Sequence, residues 1–178
     1  MLIDSFKFLP RTFRPLYEGR GPFPGEEEAV WAPFEKRLAE SRIALLTSAG
    51  LFVRGSQAAF DLDREQANPE WGDPSWRAIP ADAAAAGRAQ GAPSDLTIGV
   101  AHLHINDEDL LADPEIALPM HLLSSLSSEG VIGGAVAEHF SVMGFQEHSL
   151  DGWKNETAPA IVAHLRDQLA DGLILAPA

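Results

Sequence analysis

The chain contains no cysteine among its 178 residues. Disulfides, thiolate metal sites and a cysteine nucleophile within these residues are thereby excluded. Positive charge is scarce as well: 13 Lys and Arg oppose 26 Asp and Glu, a formal net charge of −13. A surface of that sign repels phosphate backbones, and the basic residues are scattered except for a loose group at Arg11, Arg14 and Arg20. No nucleic-acid partner is therefore expected. No apolar run approaches the roughly 18 residues of a membrane span. The start, Met1-Leu-Ile-Asp-Ser-Phe-Lys, lacks the basic segment and long apolar stretch of a signal peptide. The expectation is no membrane partner and a cytoplasmic location. Neither Gly-x-Gly-x-x-Gly nor Gly-x-x-x-x-Gly-Lys-Ser/Thr occurs, so dinucleotides and nucleotide phosphates have no sequence handle here.

What is present reads as a packed globular chain. An apolar content of 46% with 22% charged residues argues against a disordered, collagen-like or coiled-coil chain. A chain near this length buries roughly 70% of its unfolded surface. Residues 1–40 read as an N-terminal arm and connector. Pro10, Pro15, Pro22, Pro24 and Pro33 interrupt helix and sheet there, while Phe6, Phe8, Phe13, Leu16 and Tyr17 offer apolar contacts to the body or to a second subunit. Residues 41–178 read as a single α/β domain. Short apolar runs at 43–46, 96–100, 131–136 and 173–175 suit buried strands, with a further short strand at 75–79. Residues 54–75, rich in Asp, Pro and Gly, read as a long loop. A helical turn at 35–42 and helices at 119–128 and 158–169 complete the pattern. The first of those helices has Pro119 in its first turn and Gly130 at C′, and the second is capped by Thr157. Strands alternating with helices predict a mainly parallel sheet in a Rossmann-like layered α/β domain with an extended N-terminal arm.

Open parallel sheets bind ligands beyond the carboxyl ends of their strands. That rule selects residues 47–50, 102–109, 138–139 and 176–178. His102-Leu-His104 is the sharpest feature among them, because residues two apart on an extended segment point the same way. His102, His104 and His139 are candidate catalytic residues, since imidazole titrates near neutrality and can carry protons. Thr47, Ser48 and Asp107 are candidate substrate contacts. A metal held by His102 and His104, completed by Asp107, Asp109 or His139, is an alternative use of the same residues. A structural role at a strand end is another. Ser48 lacks a Gly-x-Ser-x-Gly setting, which argues against a nucleophilic serine. The loop carboxylates Asp61, Asp63, Asp73 and Asp113 suit Asx turns and caps better than acid–base work. Trp31, Trp71, Trp76 and Trp153 suit packing.

Several segments together resemble a known family. They are Phe13-Arg-Pro-Leu-Tyr-Glu, Ala44-Leu-Leu-Thr-Ser-Ala-Gly, Phe60-Asp-Leu-Asp-Arg-Glu and Trp71-Gly-Asp-Pro-Ser-Trp-Arg-Ala-Ile-Pro, followed by His102-Leu-His-Ile-Asn, Glu129-Gly-Val-Ile-Gly and His139-Phe-Ser-Val-Met-Gly-Phe. In that order they resemble the selenoprotein B family of glycine, sarcosine, betaine and D-proline reductases, its shorter D-proline-reductase-like members most of all. The resemblance implies reductive cleavage of a C–N bond in a small amine or amino-acid substrate. It also implies a dithiol or thioredoxin-like reductant and assembly as a homo- or hetero-oligomer. In the shorter relatives the redox selenocysteine or cysteine lies just after a strand resembling Leu173-Ile-Leu-Ala-Pro-Ala. The expectation is therefore a domain incomplete at its C-terminal end, with a UGA codon for selenocysteine after Ala178 read as a stop. No cofactor is identified in the chain itself, and selenocysteine is expected in the full-length protein. The competing readings are a cysteine-free metal-dependent enzyme centred on His102 and His104, and a non-catalytic subunit that retains the fold.

Overall fold

The structure is a computed structural model that describes Pro15 and residues 32–68, 70–83, 97–103, 105, 107–146 and 150–178. The chain divides into two units, Met1–Phe34 and Glu35–Ala178. Every element below belongs to the second unit, and most of the arm expected over residues 1–40 lies outside the described residues. In chain order the strands are β1 (Arg42–Thr47), β2 (Leu51–Val53), β3 (Trp76–Pro80), β4 (Ile98–Val100), β5 (Gly134–Ala135), β6 (Glu138–Val142) and β7 (Gly172–Ala176). The helices are α1 (Leu62–Ala67), α2 (Asp107–Ala112), α3 (Met120–Ser128), α4 (Leu150–Gly152) and α5 (Ala158–Asp167). A π turn, Trp153–Thr157, leads into α5, and 3₁₀ turns occupy Leu38–Glu40 and Pro114–Ile116.

The fold is mixed α/β, with a mostly parallel main sheet and a small antiparallel one. β1 is the centre of the main sheet. β7 runs parallel along one edge of it, from Ile43 opposite Gly172 to Thr47 opposite Ala176. That full-length pairing leaves the other edge of β1 to be shared. There β5 takes Arg42 and Ile43, and β6 takes Leu46 and Thr47, both parallel. β3 adds to β6 antiparallel, and β2 pairs with β4 antiparallel in the second sheet. The alternation of side chains along β1 divides the core. Ile43 and Leu45 join Ile79, Leu118, Met120 and Leu123 on one face. Ala44 and Leu46 join Phe140, Val142 and Ile161 of α5 on the other. The run at 43–46 is thus covered on both faces, as its unbroken apolar sequence predicts.

Elsewhere local chemistry redraws the expected boundaries. The strand expected at 131–136 shrinks to β5, because Val131 and Ile132 N–H donate back to Leu126 C=O and Gly133 N–H goes to Leu38 and Ser41 C=O. The longer strand follows as β6, where β-branched and aromatic residues lie. The loop expected at 54–75 contains α1, whose first turn is held by Asp61 Oδ1 accepting from Arg64 N–H at 3.0 Å. Gly130 does sit just beyond α3 with φ of 72°. Thr157 does not cap α5: it lies within continuous helix, and its hydroxyl donates to Pro74 C=O. The run at 173–175 is a strand but not a buried one, with Leu173, Ile174 and Leu175 exposed at 36%, 52% and 65%.

Candidate functional site

The parallel strands β1, β6 and β7 end on the same side of the main sheet, and their carboxyl ends are laced together. Ser48 N–H donates to Ala176 C=O at 3.4 Å. Ser48 Oγ accepts from Ala178 N–H at 3.0 Å and lies 3.5 Å from Ala178 C=O. The backbone of Gly144 passes so close that a Cβ there would stand 3.4 Å from Ser48 Cβ. Gly50, at φ of 65°, turns the chain out of this edge into β2. Its N–H reaches Val142 C=O at 3.1 Å, and its C=O accepts from Ala101 N–H at 3.0 Å. The positive φ suits glycine, and a Cβ would strike the Ala101 carbonyl. The turn therefore brings the end of β4 to the same edge, where the chain leads from Ala101 into His102.

Residues 47–50, 101–102, 143–144 and 176–178 are gathered here. Of the residues singled out from sequence, Ser48 and His102 lie on this edge, and both are partly accessible. Thr47 ends β1, but its side chain is fully buried and its Oγ1 accepts from Ala49 N–H at 3.2 Å, bracing the turn. Asp107 opens α2 and is exposed. His104 lies outside the described residues. Among the described residues no group of three or more His, Cys, Asp or Glu side chains converges as a metal site.

His139 sits elsewhere. It was expected beyond the end of a strand, and instead it is the second residue of β6, on the face shared with Leu45, with none of its surface exposed. β1 changes partner from β5 to β6 between Ile43 and Leu46, and Leu45 N–H loses its place in the ladder. His139 Nδ1 accepts that N–H at 3.2 Å. The ring proton is therefore on Nε2, which is buried and has no hydrogen-bond partner among the described residues. Burial pushes the imidazole pKa down from 6.5 to about 4. His139 is a neutral strut inside the sheet.

The site is braced by contacts that the sequence did not announce. Asp73 is buried, and its carboxylate accepts from Asp61 N–H at 2.9 Å, Ser75 N–H at 2.8 Å and Ser75 Oγ at 2.6 Å. Burial alone would raise its pKa, but these hydrogen bonds and the nearby Arg77 charge outweigh it and hold the carboxyl below its ordinary value. Gln146 Nε2 donates to Asp73 C=O at 2.7 Å and to Met143 C=O at 3.1 Å, tying this loop to the end of β6. Met143-Gly144 lies within a segment that carries the family resemblance, yet nothing in its local composition marks it as part of an edge. Beside the edge, β7 and α5 border an apolar hollow of about 300 Å³, lined by Leu46, Trp153, Ile161, Val162, Leu173 and Leu175.

The chain is 27% identical over 146 residues to D-proline reductase subunit gamma of Acetoanaerobium sticklandii, covering 82% of this chain and 52% of that protein. The chain thus spans about half the length of the curated relative it matches, and the similarity supports a distant relationship to that reductase family. No family model and no solved structure matches. No described helix is long and apolar enough to cross a membrane.

Proposed function

We propose that this chain is part of a dithiol-coupled reductase of the selenoprotein B type, acting on a C–N bond of a small amine or amino acid at the carboxyl edge of β1, β6 and β7. The observation that carries the reading is the similarity to D-proline reductase subunit gamma. The geometry supports it: Ser48 Oγ engages both backbone groups of Ala178, fixing the chain at the point after which the resemblance places the redox selenocysteine or cysteine. With no cysteine in these residues, the nucleophile is supplied by polypeptide outside them, in this reading directly after Ala178.

A selenolate or thiolate attacks the carbon, forming a C–Se or C–S bond while the C–N bond breaks and the nitrogen leaves with a proton. A neighbouring thiolate attacks the chalcogen, the carbon takes a proton, and a selenenylsulfide or disulfide remains. An external dithiol returns two electrons and closes the cycle. His102 is the described titratable side chain of this edge and is assigned proton delivery to the leaving nitrogen. His139, buried in the sheet, is assigned positioning of β1 against β6.

The test is to sequence the transcript through and beyond the codon for Ala178, and to grow the organism with ⁷⁵Se. An in-frame UGA followed by a reading frame, with label in the intact polypeptide, is expected. The intact protein should cleave a member of a panel of D-proline, sarcosine, betaine and glycine with a dithiol, and residues 1–178 alone should not. A UAA or UAG codon there would overturn the selenocysteine step. The metal-dependent and non-catalytic readings would then be separated by assaying the purified protein for stoichiometric metal lost on His102→Ala.

A further inference from the structure

We infer that the outward face of α2, the 3₁₀ turn Pro114–Ile116 and the start of α3 is a docking surface for a different polypeptide, one that presents apolar side chains rimmed by Lys and Arg. The apolar part exceeds what the core uses. Adjacent leucines on both helices divide between inside and outside: Leu110 is buried and Leu111 exposed, while Leu123 is buried and Leu122 is 57% exposed. Ile116, between the helices, is 65% exposed, although Ala117, Leu118 and Met120 just after it are in the core. Glu115 draws these side chains together. Its carboxylate accepts from His121 N–H at 2.9 and 2.8 Å and from Leu122 N–H at 3.3 Å. The turn that carries Ile116 is thereby held against the first turn of α3. Exposed apolar side chains gathered in this way, rather than scattered singly, mark a surface of association.

Charge selects the occupant. The charged residues of the same stretch are all acidic: Asp107, Glu108 and Asp109 are exposed on α2, and Asp113 and Glu115 follow in the turn. No Lys or Arg occurs in the sequence between Arg88 and Lys154. Nucleic acids and anionic lipid headgroups are repelled by such a surface. A second copy meeting this face with its own would set carboxylates against carboxylates, and each copy carries a net charge of −13. A basic protein face is instead attracted and steered in. Its apolar centre would cover Leu111, Ile116 and Leu122, with the opposite charges meeting at the rim. The chain enters α2 from the segment that leaves the carboxyl edge at His102, so a partner seated here would stand beside that edge. This inference holds whether or not the chain is a reductase.

The test places the photo-cross-linking amino acid p-benzoylphenylalanine at Leu122 of the full-length protein in its own cells, with exposed Leu169 as the control position. The expected product at position 122 is a cross-link to another polypeptide, at a segment where Lys or Arg flanks apolar residues, and position 169 should not give it. With that polypeptide purified, Leu122→Gln should weaken binding by about tenfold in Kd. Asp109→Lys should weaken it by about threefold, and both variants should keep the circular dichroism of the parent. Raising the salt from about 50 to about 500 mM should weaken the parent complex as the rim charges are screened. A cross-link that stays within this chain, in the same copy or a second one, would overturn the proposal. So would a product with lipid or nucleic acid, no product at position 122, or equal yields of one product at both positions. Binding indifferent to Leu122→Gln would remove the apolar centre, and binding indifferent to salt would remove the charge argument; either result also ends the proposal.

Discussion

β1 and β7 lie side by side in register, and their sequences are close to interchangeable: Arg-Ile-Ala-Leu-Leu-Thr beside Gly-Leu-Ile-Leu-Ala. Their surroundings are opposite. β1 has strands on both edges and side chains on both faces, and Leu45 is 1% exposed. Among the described residues β7 has a neighbour on one edge only, and Leu175 is 65% exposed. An unbroken apolar run tells a reader that a strand wants burial on both faces. It does not tell which strands will supply that burial, since that depends on residues far along the chain.

The sharpest way to break the comparison is at its buried end. Leu45→Ala removes a side chain enclosed between α3 and the sheet, and should cost about 2–5 kcal/mol of stability. Chemical denaturation at neutral pH reads this directly as a fall in the midpoint with the slope unchanged. A loss below 1 kcal/mol, by the same scale, would mean that this face of β1 is loosely packed.

Nearly as large is the effect of the strut that lets β1 change partners. His139 has a folded pKa near 4 against 6.5 when unperturbed. The unfolded chain therefore binds the proton first as pH falls, and each such proton favours unfolding. Stability from this group is complete above pH 6.5 and drains away as the pH falls to about 4. The full loss is about 3 kcal/mol by the linkage relation. Denaturation midpoints taken across that window should fall accordingly. His139→Asn, whose Oδ1 can stand in for Nδ1 as acceptor to Leu45 N–H, should flatten the dependence. A wild type with constant stability from pH 6.5 to 4.5 would show that the ring is hydrated or charged in the fold.

These two residues also show what the sequence could and could not reveal. The run at 43–46 announced β1, the α3 boundaries followed from Pro119 and Gly130, and of the segments picked by the carboxyl-end rule, 47–50 and 176–178 meet through Ser48 and Ala178. His139 looked the same in sequence as His102, a histidine beside an apolar run. Its burial depends on where β5 stops and β6 starts, and that is decided by Gly133 N–H bonding to Leu38 and Ser41. Met143-Gly144 joins the edge only because β6 ends there. The bracing of Asp73 spans Asp61, Ser75 and Gln146, a set whose spacing has no local period. Sequence patterns report the period of an element; they are silent on contacts that exist only after elements meet.

A smaller effect belongs to the edge where β1 and β7 end together. Ser48 Oγ accepts from Ala178 N–H. Ser48→Ala should cost about 1 kcal/mol, the net value of a partly exposed hydrogen bond. It should also raise the hydrogen-exchange rate of the Ala178 amide more than that of Leu45. Equal protection at Ala178 in the variant would mean that the Ala176–Ser48 backbone contact alone holds the end of β7. The residue order at the edge would then be set by the strand pairing, and the hydroxyl would be available to a ligand.

The least costly change should be Leu175→Ala, the counterpart of Leu45→Ala on the exposed strand. Full burial of a leucine side chain contributes about 1.5–3 kcal/mol. With most of its surface in water, Leu175 keeps only a fraction of that, so the loss should stay below about 1 kcal/mol, including the lower strand propensity of alanine. Leu45 and Leu175 would then differ severalfold for the same chemical deletion, and the ratio measures how much of a strand's worth comes from its neighbours. A loss near that of Leu45→Ala would mean that the hollow between β7 and α5 is closed in solution. The two strands would then be equals in packing as they are in sequence.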